Sequence, residues 1–222
     1  MCGRYALYGP VSRLRECFDA EPEGFEFEPR WNAAPMQWLP VVREEPGGKR
    51  VIQLMRWGLV PTWATDDSMA TRLTNARSES LAEKPSFRAA FRRRRCIVPA
   101  NGFYEWKQVG NTKLPFYIHP VEDELFGLGG VWEHWTRSSD GVGIDTFTII
   151  TTNASTAIRA VHDRMPLIQE PATYSAWLDP ATPLEQAHDL MQPSPWLTLT
   201  LHPVSRAVSN VRNEGATLIQ PV

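Results

Sequence analysis

Along most of the chain, apolar and polar positions alternate in short runs set close together. The runs WLPVV (38–42), RVIQLMRWGLVP (50–61), CIVPA (96–100), GFYEWK (102–107) and PFYIH (115–119) read as strands. So do LFGLGGVWEHW (125–135), DTFTIITT (145–152) and LTLTLHPVS (197–205). Helical spacing is rarer. VSRLRECFDA (11–20) places Val11, Leu14, Cys17 and Phe18 on one face. SESLAEKPSFRAAFRRRR (78–95) reads as short helical segments broken at Pro85. TAIRAVHDR (156–164) reads as one or two turns, and PATYSAWL (171–178) and PLEQAHDLMQ (183–192) as short helices. The acidic, proline-rich AEPEGFEFEPRWNAAP (20–35) reads as a loop. Many strands, few helices and no strict βαβ rhythm predict α+β: a curled, barrel-like, mostly antiparallel sheet flanked by short helices. No repeat or long linker divides the chain, so residues 1–222 are expected to form one domain.

Composition narrows this picture in a few places. The net charge of −2 points to no polyanionic partner by itself. Of 23 basic residues only Lys49, Lys84, Lys107 and Lys113 are lysines. Arginine grips phosphate bidentately and stacks on planar rings, although genomic base composition explains the count equally well. Cys2, Cys17 and Cys96 stand singly, without a CxxC, which fits a reducing cytoplasm rather than a disulfide framework. The five histidines are far apart and form no local metal motif. Nothing reads as a signal peptide or membrane span.

Four motifs carry candidate chemistry, each with a bland alternative. In MCGRY, loss of Met1 leaves Cys2 with an α-amine and a thiol on adjacent carbons. A neutral amine attacks an aldehyde to give a Schiff base, and the thiol can then close a thiazolidine ring. The alternative is a small buried residue near a terminus. In TNARSES, Asn75 and Arg77 share one side of an extended segment, or form an asparagine turn before a helix. In ANGFYEWK, Glu105 lies between Tyr104 and Trp106. It is either a desolvated carboxyl able to move protons near neutrality, or one of the wet-face residues of an alternating strand. In AVHDRMP, His162 is either a proton-transfer group or a cation suiting a helix end before Pro166. The run FRRRRC cannot turn all its arginines to one side, so a solvated face and a nucleic-acid contact compare evenly.

Taken in order, MCGRY, WNAAP, RWGLVPTW, TNARSE, CIVPANGFYEW, VHDRMP and HPVSRAVSNVRNEG closely resemble the SRAP (SOS response-associated peptidase) family. The resemblance runs from residue 2 to the C-terminus. It implies covalent crosslinking to abasic sites in single-stranded DNA, including single-strand/double-strand junctions, with no cofactor and no metal. It implies Cys2 as nucleophile, Asn75 hydrogen-bonding near the sugar, and Glu105 and His162 as the proton-handling pair. Arg4 and Arg77 would hold flanking phosphates, and Asn32, Pro35 and Trp63 would lie along the DNA path. It also implies a cytoplasmic monomer that joins the nucleoid at damaged DNA, with minor lyase activity and self-processing of Met1. Two positions depart from the bacterial pattern: Ala64 stands where a second tryptophan is common, and Pro85 where a basic residue is common. The competing readings are a cysteine peptidase built on Cys2, His162 and Glu105, and a non-catalytic single-strand-binding module.

Overall fold

The computed structural model describes residues 2–122, 125–137, 139–192 and 197–222. The chain begins with β1 (Tyr5–Leu7), α1 (Val11–Phe18), β2 (Glu21–Pro22), β3 (Arg30–Ala33), β4 (Trp38–Glu44) and β5 (Arg50–Trp57). After β6 (Asn75–Arg77) and α2 (Arg88–Arg93) come the long strands β7 (Arg95–Ala100), β8 (Gly102–Val109), β9 (Thr112–Pro120), β10 (Phe126–Thr136) and β11 (Gly143–Asn153). The remainder is α3 (Thr156–Arg159), β12 (Arg164–Pro166), β13 (Ile168–Gln169), α4 (Tyr174–Leu178), α5 (Leu184–Asp189) and β14 (Leu199–Pro203). No helix among the described residues is long and apolar enough to cross a membrane.

The predicted strands are present, and α2 begins three residues after Pro85. The segment expected to be a loop at 20–35 instead contributes β2 and β3. Both are short and pair with strands distant in sequence, a constraint that local composition does not record. On α1, Leu14 and Phe18 are buried as expected, but Cys17 is exposed. The arginine run is dispersed: Arg92 and Arg93 are exposed, whereas Arg94 pairs with Glu133 at 2.7 Å. Arg95 is buried and donates to the carbonyls of Phe91, Trp177 and Asp179, satisfying the ends of α2 and α4.

The sheets position the site. In one of them, β11–β10–β7–β4–β5 form an antiparallel series, and β5 returns to pair with β11 in parallel, Arg56 and Trp57 opposite Thr146 and Phe147. This closes a five-strand barrel. The same edge of β11 continues past β5 to pair in parallel with β6, while its other edge pairs with β10 and then β12. The second sheet runs β14–β9–β8–β1–β3. One core, including Phe103, Ile118, Val42, Ile97, Leu128, Trp57 and Phe147, lies inside the barrel and between the sheets. A smaller core of Ala6, Tyr104, Tyr117, Val204, Val208 and Leu218 covers the far face of the second sheet.

Barrel closure depends on Gly58, which leaves β5 with φ +128° and donates its amide to Phe147 at 2.8 Å. A Cβ there would lie 2.7 Å from the Ala70 carbonyl oxygen, a backbone atom that cannot swing aside. Gly58→Ala is expected to lower the unfolding free energy by about 2–4 kcal/mol, from backbone strain plus overpacking. Gly48→Ala, also at positive φ but with open space around it, is expected to lose only about 1–2 kcal/mol. Denaturant midpoints at constant slope measure both. Equal losses would show that Ala70 has room to yield.

Candidate functional site

The residues singled out from the sequence gather where the two sheets meet. Residues 2–4 lead into β1, which pairs with β8 so that Tyr5 faces Phe103, and Tyr104 donates its amide to the Arg4 carbonyl at 3.0 Å. That register runs Cys2 alongside the stretch of β8 that carries Glu105. Cys2 is fully buried, and its Sγ lies 3.9 Å from the Arg4 carbonyl oxygen. Burial pushes the thiol well above its usual range, and the nearby Glu105 carboxylate pushes it further. The Tyr5 hydroxyl is also buried near Cys2 and has no hydrogen-bond partner among the described residues.

Glu105 does not lie on a wet face. β8 is an interior strand with both faces covered at this end: Phe103 and Tyr104 are fully buried on opposite faces, and Glu105 is 2% exposed. Desolvation raises its carboxyl to about 7, and Asp163 adds a smaller push in the same direction. A carboxyl there can both give and take a proton near neutrality.

His162 is positioned by a turn rather than by a helix end. Helix α3 stops at Arg159, and the amides of Val161 and His162 both turn back to the Ile158 carbonyl. This sets Nε2 4.0 Å from Glu105 Oε2. The Arg164 amide donates to Nδ1 at 3.0 Å, which suits a neutral ring, and Nε2 is the nitrogen that faces Glu105. Asp163 Oδ1, also 3.0 Å from Nδ1, favours a proton on that nitrogen and so the imidazolium. Burial lowers the His162 pKa, and Asp163 opposes that shift.

Asn75 and Arg77 lie on β6 with Ala76 buried between them, as extended backbone requires. Asn75 is half-buried, its Nδ2 3.4 Å from the Ile149 carbonyl. Arg77 is exposed and has no carboxylate partner among the described residues. Arg164, two residues after His162, locks β6 to this loop. It holds both Glu79 carboxylate oxygens, the Thr151 carbonyl at 2.6 Å and Asn153 Oδ1 at 3.0 Å. The Glu79–Arg164 clamp was not foreseen from the sequence, although TNARSE and VHDRMP contain both partners.

Arg4 is held by neutral groups: Asn32 Oδ1 at 2.9 Å, the Val208 carbonyl at 2.7 Å, the Ser209 carbonyl at 3.4 Å, and the Trp106 ring at 6.0 Å. Burial lowers its pKa, but a guanidinium remains charged at neutral pH. Asn32, expected along a nucleic-acid path, is instead fully buried beneath Arg4. Pro35 is half-buried and Trp63 is 57% exposed. Met36 and Trp38 are exposed as well, and Met36 adopts φ +71°, a left-handed conformation rarely used by a side chain of its kind. The sequence offered no sign of that backbone. Ala64 is buried and accepts the Trp135 indole N–H through its carbonyl, whereas Lys84 and Pro85 are exposed. Met1 lies outside the described residues. No group of three or more metal-ligating side chains occurs among the described residues.

Comparison with known proteins places the chain in a family. The chain is 36% identical over 225 residues to the abasic site processing protein YoqW of Bacillus subtilis, covering 99% of both chains. It is 32% identical over 264 residues to the abasic site processing protein HMCES of Gallus gallus, covering 100% of this chain and 78% of that one. A crystal structure of a protein from Bacteroides thetaiotaomicron has the same fold, with a TM-score of 0.88 over 100% of both chains at 23% identity. Residues 1–211 match the model of one family, and this chain belongs to it: SRAP, the SOS response associated peptidases.

Proposed function

We propose that this protein processes abasic sites in single-stranded DNA by forming a covalent crosslink through Cys2. The observation that carries the reading is a buried carboxyl poised near pH 7, Glu105, set between His162 and Cys2, which loss of Met1 would turn into an N-terminal 1,2-aminothiol. The names of the YoqW and HMCES relatives support the same substrate class.

The chemistry follows from the protonation states. Removal of Met1 frees the Cys2 α-amine. An abasic deoxyribose opens to an aldehyde as its anomeric hydroxyl loses a proton and its ring oxygen gains one; His162, in its protonated form, donates from Nε2 to the ring oxygen and is reprotonated by the proton the hydroxyl releases. The neutral amine adds to the aldehyde carbon, and Glu105 delivers the proton with which the carbinolamine oxygen leaves as water. The thiol then adds to the imine carbon as its proton passes to the imine nitrogen, closing a thiazolidine. Overall, aldehyde and aminothiol give thiazolidine and one water. Capping the aldehyde shields the lesion, whereas an unclosed Schiff base permits β-elimination as a minor lyase reaction. Asn75 hydrogen-bonds near the sugar, Arg4 and Arg77 hold flanking phosphates, and Pro35, Met36, Trp38 and Trp63 offer stacking faces.

Peptidase action on other proteins fits less well. A cysteine peptidase needs a thiol whose pKa is depressed beside an imidazolium. Here burial raises the Cys2 thiol and lowers the His162 imidazole.

Mixing the protein with an abasic oligonucleotide and measuring intact mass tests the proposal. The expected product has lost Met1 and carries the DNA strand less one water. Cys2→Ala is expected to abolish the adduct that survives a denaturing gel while retaining amine-driven strand cleavage. An undiminished stable adduct in Cys2→Ala would refute ring closure.

Glu105→Gln is expected to slow adduct formation by about a hundred- to ten-thousand-fold and to remove the pH limb centred near 7. The stability effect has the opposite sign. A carboxyl raised from 4.5 to about 7 stabilises the fold relatively less as pH rises through that interval. Glu105→Gln should therefore gain stability relative to the parent between those values, on the order of 3 kcal/mol at most. Thermal unfolding across pH reads this gain, and a parent-like rate would return Glu105 to a purely structural role.

Non-covalent binding to single strands is expected to weaken with salt, and Arg77→Ala should reduce the log–log slope by roughly 0.7. An unchanged slope would remove Arg77 from the phosphate contacts.

A further inference from the structure

The motif HPVSRAVSNVRNEG has no role in the chemistry above, yet its residues surround Arg4. β3 is the edge strand of the second sheet, and its pairing with β1 is irregular: Tyr5 faces Ala33 and Leu7 faces Arg30. One residue of β1, Ala6, is therefore opposed by two of β3, Trp31 and Asn32. Such a bulge turns backbone and side chain out of the regular alternation. Both amides at the bulge point to one carboxylate. Glu214 Oε2 accepts from Trp31 N at 2.8 Å and from Asn32 N at 3.2 Å, and its Oε1 lies 3.6 Å from Arg30. The Tyr104 hydroxyl donates to the Trp31 carbonyl at 2.7 Å and secures the other side.

The bulge aims Asn32 into the protein. Its Nδ2 lies 3.1, 3.0 and 3.0 Å from the carbonyls of Val208, Asn210 and Asn213, and its Oδ1 receives Arg4. Arg4 therefore sits on a frame made of Asn32 and the 208–213 backbone, and Glu214 fixes where that frame begins. The Arg4 acceptors are neutral and, unlike Arg95, its side chain is only partly buried, so its positive charge is open to an anion. The contrast is with Arg94 and Arg164, whose charge is taken by Glu133 and Glu79.

We propose that Glu214 is a positioning residue for phosphate recognition: by holding the Trp31–Asn32 bulge, it orients Asn32 and, through Asn32, the guanidinium of Arg4 toward a DNA phosphate. Glu214 lies beyond residues 1–211 that match the family model. The inference rests on the proposed reaction with abasic DNA.

The test measures crosslinking of an abasic single-stranded oligonucleotide by the parent, Arg4→Ala, Glu214→Ala and the double variant, across DNA concentration and salt. Glu214→Ala is expected to raise the half-saturating DNA concentration by roughly tenfold, the loss of a charge-assisted contact. It should lower the salt slope of binding by roughly 0.7, as Arg4→Ala does. The saturating rate should stay close to that of the parent, because Cys2, Glu105 and His162 are untouched. The double variant should bind no worse than Arg4→Ala, because Glu214 acts through Arg4. Glu214→Gln preserves size and one acceptor and should fall between parent and Glu214→Ala; if Glu214→Ala does not fold, Glu214→Gln decides. An unchanged salt slope, or additive losses in the double variant, would overturn the inference while the crosslinking reading stands. A parent protein that forms no adduct would overturn the reading and the inference with it.

Discussion

The parallel pairing of β5 with β11 turns an open antiparallel series into a ring, and the position of the site follows from that closure. Because β5 occupies only the first part of one β11 edge, the rest of that edge remains open to β6, which carries Asn75 and Arg77. On the opposite edge β10 gives way to β12, which holds the His162 turn in place. One strand, paired along both edges by four partners, thus sets two separate segments side by side. The Arg164–Glu79 clamp then ties those segments together through side chains. Each bond in the clamp is modest, but breaking a half-buried ion pair leaves a charge without compensation, which makes the arrangement hard to loosen piecemeal.

Desolvation decides the chemistry of what is assembled. Every shift in the central group favours the neutral form: the Cys2 thiol and the Glu105 carboxyl rise, and the His162 imidazole falls. A site that disfavours charge suits imine formation, which needs a neutral amine and a carboxyl able to exchange protons. It is a poor setting for thiolate attack. Around this neutral centre the cationic side chains divide into two kinds. Arg43, Arg56, Arg94 and Arg164 are paired with carboxylates. Arg4 and Arg77 have no such partner among the described residues. Arg95, by contrast, is buried and held by backbone carbonyls alone.

Part of this was legible from residues alone. Alternation located β4, β5 and β7 to β11, and proline placed the start of α2. These patterns are local: a strand shows its period within a few residues, and a proline restricts its immediate neighbours. The order of short motifs identified the family and brought Cys2, Arg4, Asn75, Arg77, Glu105 and His162 into one list. The sequence could not distinguish a wet Glu105 from a buried one, because the same alternation serves both. Nor could it show β3 within an acidic stretch, the left-handed Met36, or the scattering of the arginine run.

What the sequence determined by itself was therefore most of the elements, the family and the candidate side chains. What only the tertiary structure decided was their environment. Glu105 is desolvated because it shares the β8 face of Phe103, which packs into the main core with Cys2, Trp57 and Phe147 from distant parts of the chain. Asn32 is buried because residues 208–214 fold over the β3 bulge. Burial and charge compensation depend on what lies across space from a residue. A period of two or 3.6 residues records only which way a side chain points.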